Sequence, residues 1–145
     1  MHVALDGNGT GSISGIKVRY AETDQMGFVH HSNHIIWFEI ARMKLFQDNG
    51  IDIKKIEEEG LLLPVLSVEA KYISPAFYGD ELNINAYFMS STNVRIKIQY
   101  EIVNDSGKKI CSGNSEHAFI SRNSRNLILV PDWINKKIVR INKEN

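Results

Sequence analysis

The chain has 145 residues, 43% of them apolar, which is enough for one domain with a real core and too little for a second. Lysine plus arginine number 17, as do aspartate plus glutamate, so no broad field recruits nucleic acid or an anionic membrane. A lone cysteine excludes an internal disulfide, no apolar run approaches the ~20 residues of a membrane-spanning helix, and residues 1–15 lack the basic and apolar regions of a secretion signal, so a cytoplasmic setting is expected.

Residues 1–15 are rich in Gly, Ser, Thr and Asn and are expected as a partly ordered leader, with residues 16–145 forming the single domain. Gly7-Asn8-Gly9-Thr10-Gly11 lacks the strand, lysine and helix of a phosphate loop and reads as flexible. Ile16 to Tyr20 has the pattern of a short strand. Asn33 to about Gln47 has the pattern of a helix, capped by Ser32 or Asn33 and closed by Gly50. Ile35, Phe38, Ala41 and Leu45 form one apolar stripe, and Ile36, Ile40 and Met43 widen it so far that the helix wants covering on most sides. Glu39 and Arg42, three apart on one helix face, suit a structural ion pair. Ile53 to Glu59 adds a short charged helix.

From Leu61 the apolar period changes to two. Leu61 to Ile73, Glu81 to Ser90, Val94 to Val103 and Lys109 to Ser121 are the strand candidates, and the third alternates Val94, Ile96, Ile98, Tyr100 and Ile102 against Arg95, Lys97, Gln99 and Glu101. Turn chemistry fills residues 74–80, 91–93 and 104–107, with Asp105-Ser106-Gly107 the clearest hairpin loop. Cys111, inside a strand, reads as a small core residue. Strand, long helix, then antiparallel strands is an α+β order, and a sheet of this length can curl around one buried helix.

The chemistry concentrates between Tyr20 and Arg42. One carboxylate, Asp24, a turn glycine, Gly27, and three histidines, His30, His31 and His34, lie on a loop that runs straight into the apolar helix. A helix starting just after a carboxylate offers unpaired N–H groups and the positive end of its dipole beside that carboxylate, where an ester or thioester carbonyl could be held and attacked. Residue type alone also allows Asp24 a plain Asx-turn, Tyr20 a place packing on the core at a strand end, and His34 an exposed helical position.

Asp24-x-x-Gly27-x-Val29-x-His31 followed by Trp37-Phe38-Glu39-x-Ala41-Arg42 resembles the signature of the hotdog-fold acyl-CoA thioesterases. The closest branch is the 4-hydroxybenzoyl-CoA thioesterase-like one, which includes small bacterial enzymes associated with the Tol–Pal cluster. The similarity continues through Leu63-Pro64-Val65, Pro75-Ala76-x-Tyr78-Gly79-Asp80 and Pro131, and so spans about residues 16–134. It implies a hotdog fold, an antiparallel sheet wrapped around one long central helix. It implies hydrolysis of an acyl thioester of CoA or of an acyl carrier protein, with Asp24 as nucleophile or as base for water. The backbone N–H of His31 would polarise the carbonyl, and Tyr20 and the His31 imidazole would complete the catalytic set. Gly27, His30, His34 and Trp37 are the expected substrate-binding residues. A homo-oligomer, dimer or tetramer, with its site between subunits, is also implied, as is the absence of any cofactor beyond the CoA of the substrate.

Other readings fare worse on the residues. His30, His31 and His34 are spaced somewhat like metal ligands, yet adjacent histidines converge poorly on one ion and no His-Glu-x-x-His or cysteine pair supports them, so no metal is expected. No Gly-x-Ser-x-Gly elbow supports a serine hydrolase. A hotdog hydratase or dehydratase carries histidine five residues after its aspartate with Asn-Pro between, whereas His30 and His31 here fall six and seven residues after Asp24 and Asn-Pro is missing. A non-catalytic acyl-CoA-binding module of this fold drops the carboxylate, which this chain keeps. The acyl group stays open, since Trp37, Phe38, Phe77, Tyr78 and Met89 suit an aromatic or an aliphatic slot equally.

Overall fold

One helix of 18 residues lies along the inner face of a curled antiparallel sheet, and both owe their position to the spacing of apolar side chains. The computed structural model describes residues 9–144, with side chains up to residue 141. Helix α1 runs His31–Asp48 and buries His34, Trp37, Phe38, Ala41, Leu45 and Phe46. Its cap is His30 and not Ser32 or Asn33: the His30 Nδ1 accepts the Ser32 N–H at 3.2 Å, doing what a Ser or Asp side chain does at this place. Five strands form the main sheet in the order β1 (Thr10–Lys17), β4 (Glu81–Ser91), β5 (Ile96–Asn104), β6 (Lys109–His117), β3 (Val65–Tyr72), with every neighbouring pair antiparallel.

Alternation makes the inner face. Leu82, Ile84, Ala86 and Phe88 of β4 and Ile96, Ile98, Tyr100 and Ile102 of β5 are buried, and the register sets Ala86 beside Tyr100 and Ile84 beside Ile102. Phe38 stacks on Tyr100 with centroids 4.5 Å apart, and Phe46 on Phe88 at 6.0 Å. Two glycines let α1 come this close. A Cβ on Gly11 would collide with the Leu45 backbone, and one on Gly113 would stand 2.6 Å from Phe38 Cε2.

Four boundaries differ from the sequence reading. Strand β1 begins at Thr10 and ends at Lys17, so residues 10–15 of the expected leader are sheet, while residues 1–8 lie outside the described residues. Small and polar residues suit this strand because α1 presses on it at Gly11 and the Ser12 hydroxyl bonds the Asn85 side chain at 2.5 Å. Tyr20 falls in a 3-10 turn, Tyr20–Glu22. The run from Leu61 splits at Pro64, which has no N–H for a ladder, into β2 (Leu61–Leu62) and β3. The run from Lys109 splits at Ala118 into β6 and β7 (Phe119–Ser121), and β2, β7 and β8 (Leu127–Ile128) make a small second sheet. The short helix α2 spans Ile53–Glu58, and α3, Asp132–Glu144, packs on β4 and buries Ile134, Ile138 and Ile141 in the same core as Leu45 and Phe46 of α1.

Covering of α1 is one-sided. Ile36 is 51% exposed, and Ile40 and Met43 are exposed too, because a single sheet has only one inner face to offer. At the end of the sheet where α1 starts, two connecting segments run side by side: Val18 N–H donates to Asp80 O at 2.9 Å, Gly79 N–H to Val18 O at 3.0 Å, and Val29 N–H to Ala76 O at 2.8 Å. They carry the residues of the site. Among the described residues no helix is long and apolar enough to cross a membrane.

Candidate active site

Asp24 opens a tight turn. Its Oδ1 accepts the N–H groups of Met26 at 2.8 Å and Phe28 at 3.2 Å, and Asp24 N–H donates to Phe28 O at 2.7 Å. Gly27 supplies the left-handed residue this turn requires, at φ 86°. The Asx-turn reading of Asp24 is therefore built into the structure, yet it uses one carboxylate oxygen, and the same side chain lines a cavity of about 350 Å³. Turn and cavity are compatible roles: the turn fixes where the carboxylate points.

The opposite wall belongs to the start of α1. His31 is its first residue, and its N–H has no acceptor among the described residues, as the geometry of a helix N-terminus dictates. His31 and His34 both line the cavity. His34 is only 4% exposed, and its Nδ1 lies 3.2 Å from His31 O. A carbonyl can only accept, so Nδ1 carries the proton and Nε2 is left as a lone pair. Burial holds the His34 pKa below the ordinary histidine value, against the opposing pull of that backbone contact, and the ring is neutral at pH 7. The exposed position allowed for His34 is thus overturned: Trp37 and Tyr72 enclose it edge-on, with centroids 5.5 and 4.9 Å away.

Tyr72, at the end of β3, is the residue that sequence reasoning missed. Its hydroxyl donates to His31 O at 2.9 Å, tying the first turn of α1 to the sheet, and its ring walls the cavity with Ile73, Ser74, Pro75 and Ala76. The available signal was Pro75-Ala76, which the motif contains; nothing in a strand-end tyrosine itself points to the site.

The other candidates lie elsewhere. His30 caps α1 and stacks on His31 at 4.2 Å without lining the cavity. Trp37 is 2% exposed in the core and meets the site only through His34. Tyr20 is 77% exposed and neither packs on the core nor reaches the cavity; its ring meets Tyr78 edge-on at 5.8 Å. Among the described residues no group of three His, Cys, Asp or Glu side chains is arranged to hold a metal ion.

Comparison with other proteins identifies the fold of a curled sheet on one long helix. The profile of the thioesterase-like superfamily matches residues 18–138. The chain belongs to this superfamily. It is 33% identical over 122 residues to YneP of Bacillus subtilis (strain 168), a candidate acyl-CoA thioesterase, covering 81% of this chain and 88% of that one. A 1,4-dihydroxy-2-naphthoyl-CoA hydrolase of Prochlorococcus marinus (strain NATL2A) is 28% identical over 129 residues, 81% of each chain. The crystal structure of a DHNA-CoA thioesterase from Staphylococcus aureus superimposes with a TM-score of 0.84 at 28% identity, covering 93% of this chain and 94% of that one. The fold is the hotdog fold, and the chain is an enzyme of the thioester hydrolase class.

This thioesterase carries a second polar cluster, sealed in the core. Tyr100 hydroxyl and Ser115 Oγ are 2.5 Å apart, and Ser115 Oγ is 2.7 Å from His117 Nε2. By distance Ser115 and His117 are a nucleophile and its base. They are 2% and 0% exposed, however, and burial together with the Arg42 charge pushes the His117 pKa down to about 4. No substrate reaches them. Cys111 is equally inert, its thiol pushed up to about 12 by burial, and Arg42 Nη2 stands 3.4 Å from Glu39 as the helix spacing suggested.

Proposed function

We propose that this enzyme hydrolyses the thioester of an acyl-CoA to the free acid and CoA. The observation that carries the reading is that Asp24 and His31, a helix-start residue whose N–H is unbonded, line one cavity. A carbonyl oxygen held by that N–H gains charge as the carbonyl is attacked, and an oriented donor at the positive end of a helix stabilises it most at that moment. Asp24 acts as nucleophile, or takes a proton from water on the same carbonyl. The neutral Nε2 of His34 can accept from that water, and the His31 imidazole orients it. Tyr20, outside the cavity, takes no step in this reading.

An aroyl group is the first acyl to test: Phe28, His34 and Tyr72 wall the cavity, and two relatives carry a naphthoyl-CoA substrate in their names. Placement in the 4-hydroxybenzoyl-CoA thioesterase-like branch rests on the Asp24, Gly27 and His31 spacing. Acyl carrier protein is the alternative donor, since it presents the same pantetheine thioester. No metal and no further cofactor enter the scheme, and a cytoplasmic location goes with it.

The functional unit in this reading is a dimer at least. Strand β3 is an open edge whose Val65, Leu66, Val68 and Tyr72 are each more than 40% exposed, an apolar edge that pairing with a second copy would cover. The exposed Ile36, Ile40 and Met43 face of α1 offers a second contact for a tetramer.

The test is thiol release from a series of acyl-CoAs, short aliphatic to bicyclic aroyl, with and without a strong chelator. Turnover of at least one of them, unchanged by the chelator, is expected. A protein that binds a non-hydrolysable acyl-CoA ether but turns over nothing would sink the reading and leave a binding module.

A further inference from the structure

Edge strand β3 carries two charges that its own chain leaves unanswered. Glu69 and Lys71 are exposed, their neighbours across β6 are the neutral Asn114 and Ser112, and among the described residues neither meets an opposite charge. Both lie on the outer face of the sheet. Ala70 between them stands opposite Gly113, against which Phe38 of α1 is pressed, so Val68, Ala70 and Tyr72 share the inner face with α1. Val68 and Tyr72 are half-exposed there, an apolar pair on an edge that has no strand beyond it.

We infer that β3 pairs antiparallel with β3 of a second copy with Ala70 on the two-fold axis, which makes the partner's Val68 part of each cavity; the inference rests on the dimer of the acyl-CoA reading above. A two-fold axis through one continuous sheet keeps inner face beside inner face, so it falls on a residue, and that residue fixes every contact. Centred on Glu69 or on Lys71, the axis sets like charges against each other. Centred on Ser67 or Val68, it leaves both charges opposite Ser67, Val65 or Leu63. Centred on Ala70, it sets Glu69 against the partner's Lys71 and Lys71 against the partner's Glu69, two reciprocal ion pairs with the smallest side chain of the strand at the crossing. On the inner face the same register sets Tyr72 against the partner's Val68, an aromatic against a β-branched residue, which is a favourable cross-strand pair. Tyr72 walls the cavity and its hydroxyl holds His31 O. The partner's Val68 therefore meets the cavity along its β3 side, and acyl selection becomes a property of two chains.

The experiment maps the register with introduced thiols, the native Cys111 being buried. Ala70→Cys should oxidise to a covalent dimer, because directly opposed residues have Cα atoms about 4.5–5.5 Å apart, within disulfide reach. Val68→Cys should stay reduced, since its two copies stand about 14 Å apart in this register. Glu69→Lys should weaken the dimer at least about tenfold in sedimentation, and adding Lys71→Glu to it should restore the wild-type affinity. Val68→Trp should raise KM for the acyl-CoA at least about tenfold. Dimers of one Asp24→Asn chain and one Val68→Trp chain keep one cavity with both Asp24 and the partner's Val68, and should show half the wild-type kcat at the wild-type KM. A monomeric wild type, crosslinking through Val68→Cys in place of Ala70→Cys, no rescue by the charge swap, an unchanged KM in Val68→Trp, or a raised KM in the mixed dimer overturns the inference. A wild type that turns over no thioester fails the acyl-CoA reading instead, and the crosslinking still decides the register.

Discussion

Two polar clusters in this protein use similar side chains to opposite ends. At the start of α1, Asp24, His31 and His34 border an open cavity and leave one N–H unbonded; in the core, Tyr100, Ser115 and His117 bond one another and touch no solvent. The sealed cluster has a nucleophile-to-base spacing, with Ser115 and His117 2.7 Å apart. Access, more than residue type or spacing, marks a reactive site. The buried cluster is bonded through Tyr100, Ser115 and His117 Nε2 while His117 Nδ1 stays buried without a hydrogen-bond partner, so what separates the two clusters is access.

The sharpest way to break this contrast is Asp24→Asn. The amide keeps the shape and can still accept a turn hydrogen bond, so stability should fall by no more than about 1–2 kcal/mol. It can neither attack a carbonyl nor take a proton, so thiol release should drop at least about a hundredfold. A folded variant with near wild-type turnover would strip the open cluster of its chemistry.

The sealed cluster should answer to pH through stability. His117 takes up a proton at about 4 when folded and near 6.5 when unfolded, so between those values the unfolded chain binds more protons. Stability is therefore complete above pH 6.5 and declines as pH falls toward 4, by about 3 kcal/mol if the full shift is realised. His34, lowered in the same direction, adds to the same slope. Melting temperature measured from pH 8 to 4 should show the decline, and His117→Phe should flatten it while leaving kcat at pH 8 unchanged. A loss of kcat in a folded His117→Phe protein would mean the core network reaches the chemistry after all.

His31→Ala comes next in size. Its backbone N–H survives the change, so turnover should fall well short of the Asp24→Asn loss. Equal losses would make the imidazole a principal acid or base. The smallest effect belongs to Tyr72→Phe, which removes one hydrogen bond to His31 O and should cost about 0.5–1.5 kcal/mol in thermal stability or transition-state binding. No measurable change in either would detach Tyr72 from the site.

The α+β order, the long helix, the alternating strands β4 and β5 and the loop bearing Asp24 were all legible in the linear sequence, because each is written in a local period or a turn residue. Strand β1 was not, since Gly11 and Ser12 are chosen for closeness to Leu45 and Asn85, residues far away in the chain. The same cause hid the burial of His34. Helical spacing alone leaves it exposed, and only the arrival of Tyr72 from β3 encloses the ring. Tyr72 itself, and the separation of Tyr20 from the cavity, follow from how segments 18–30 and 74–80 cross the end of the sheet. Local sequence determined which side chains could do chemistry; the packing of distant segments decided which of them share a cavity, because burial and access are properties of the assembled chain and of no window within it.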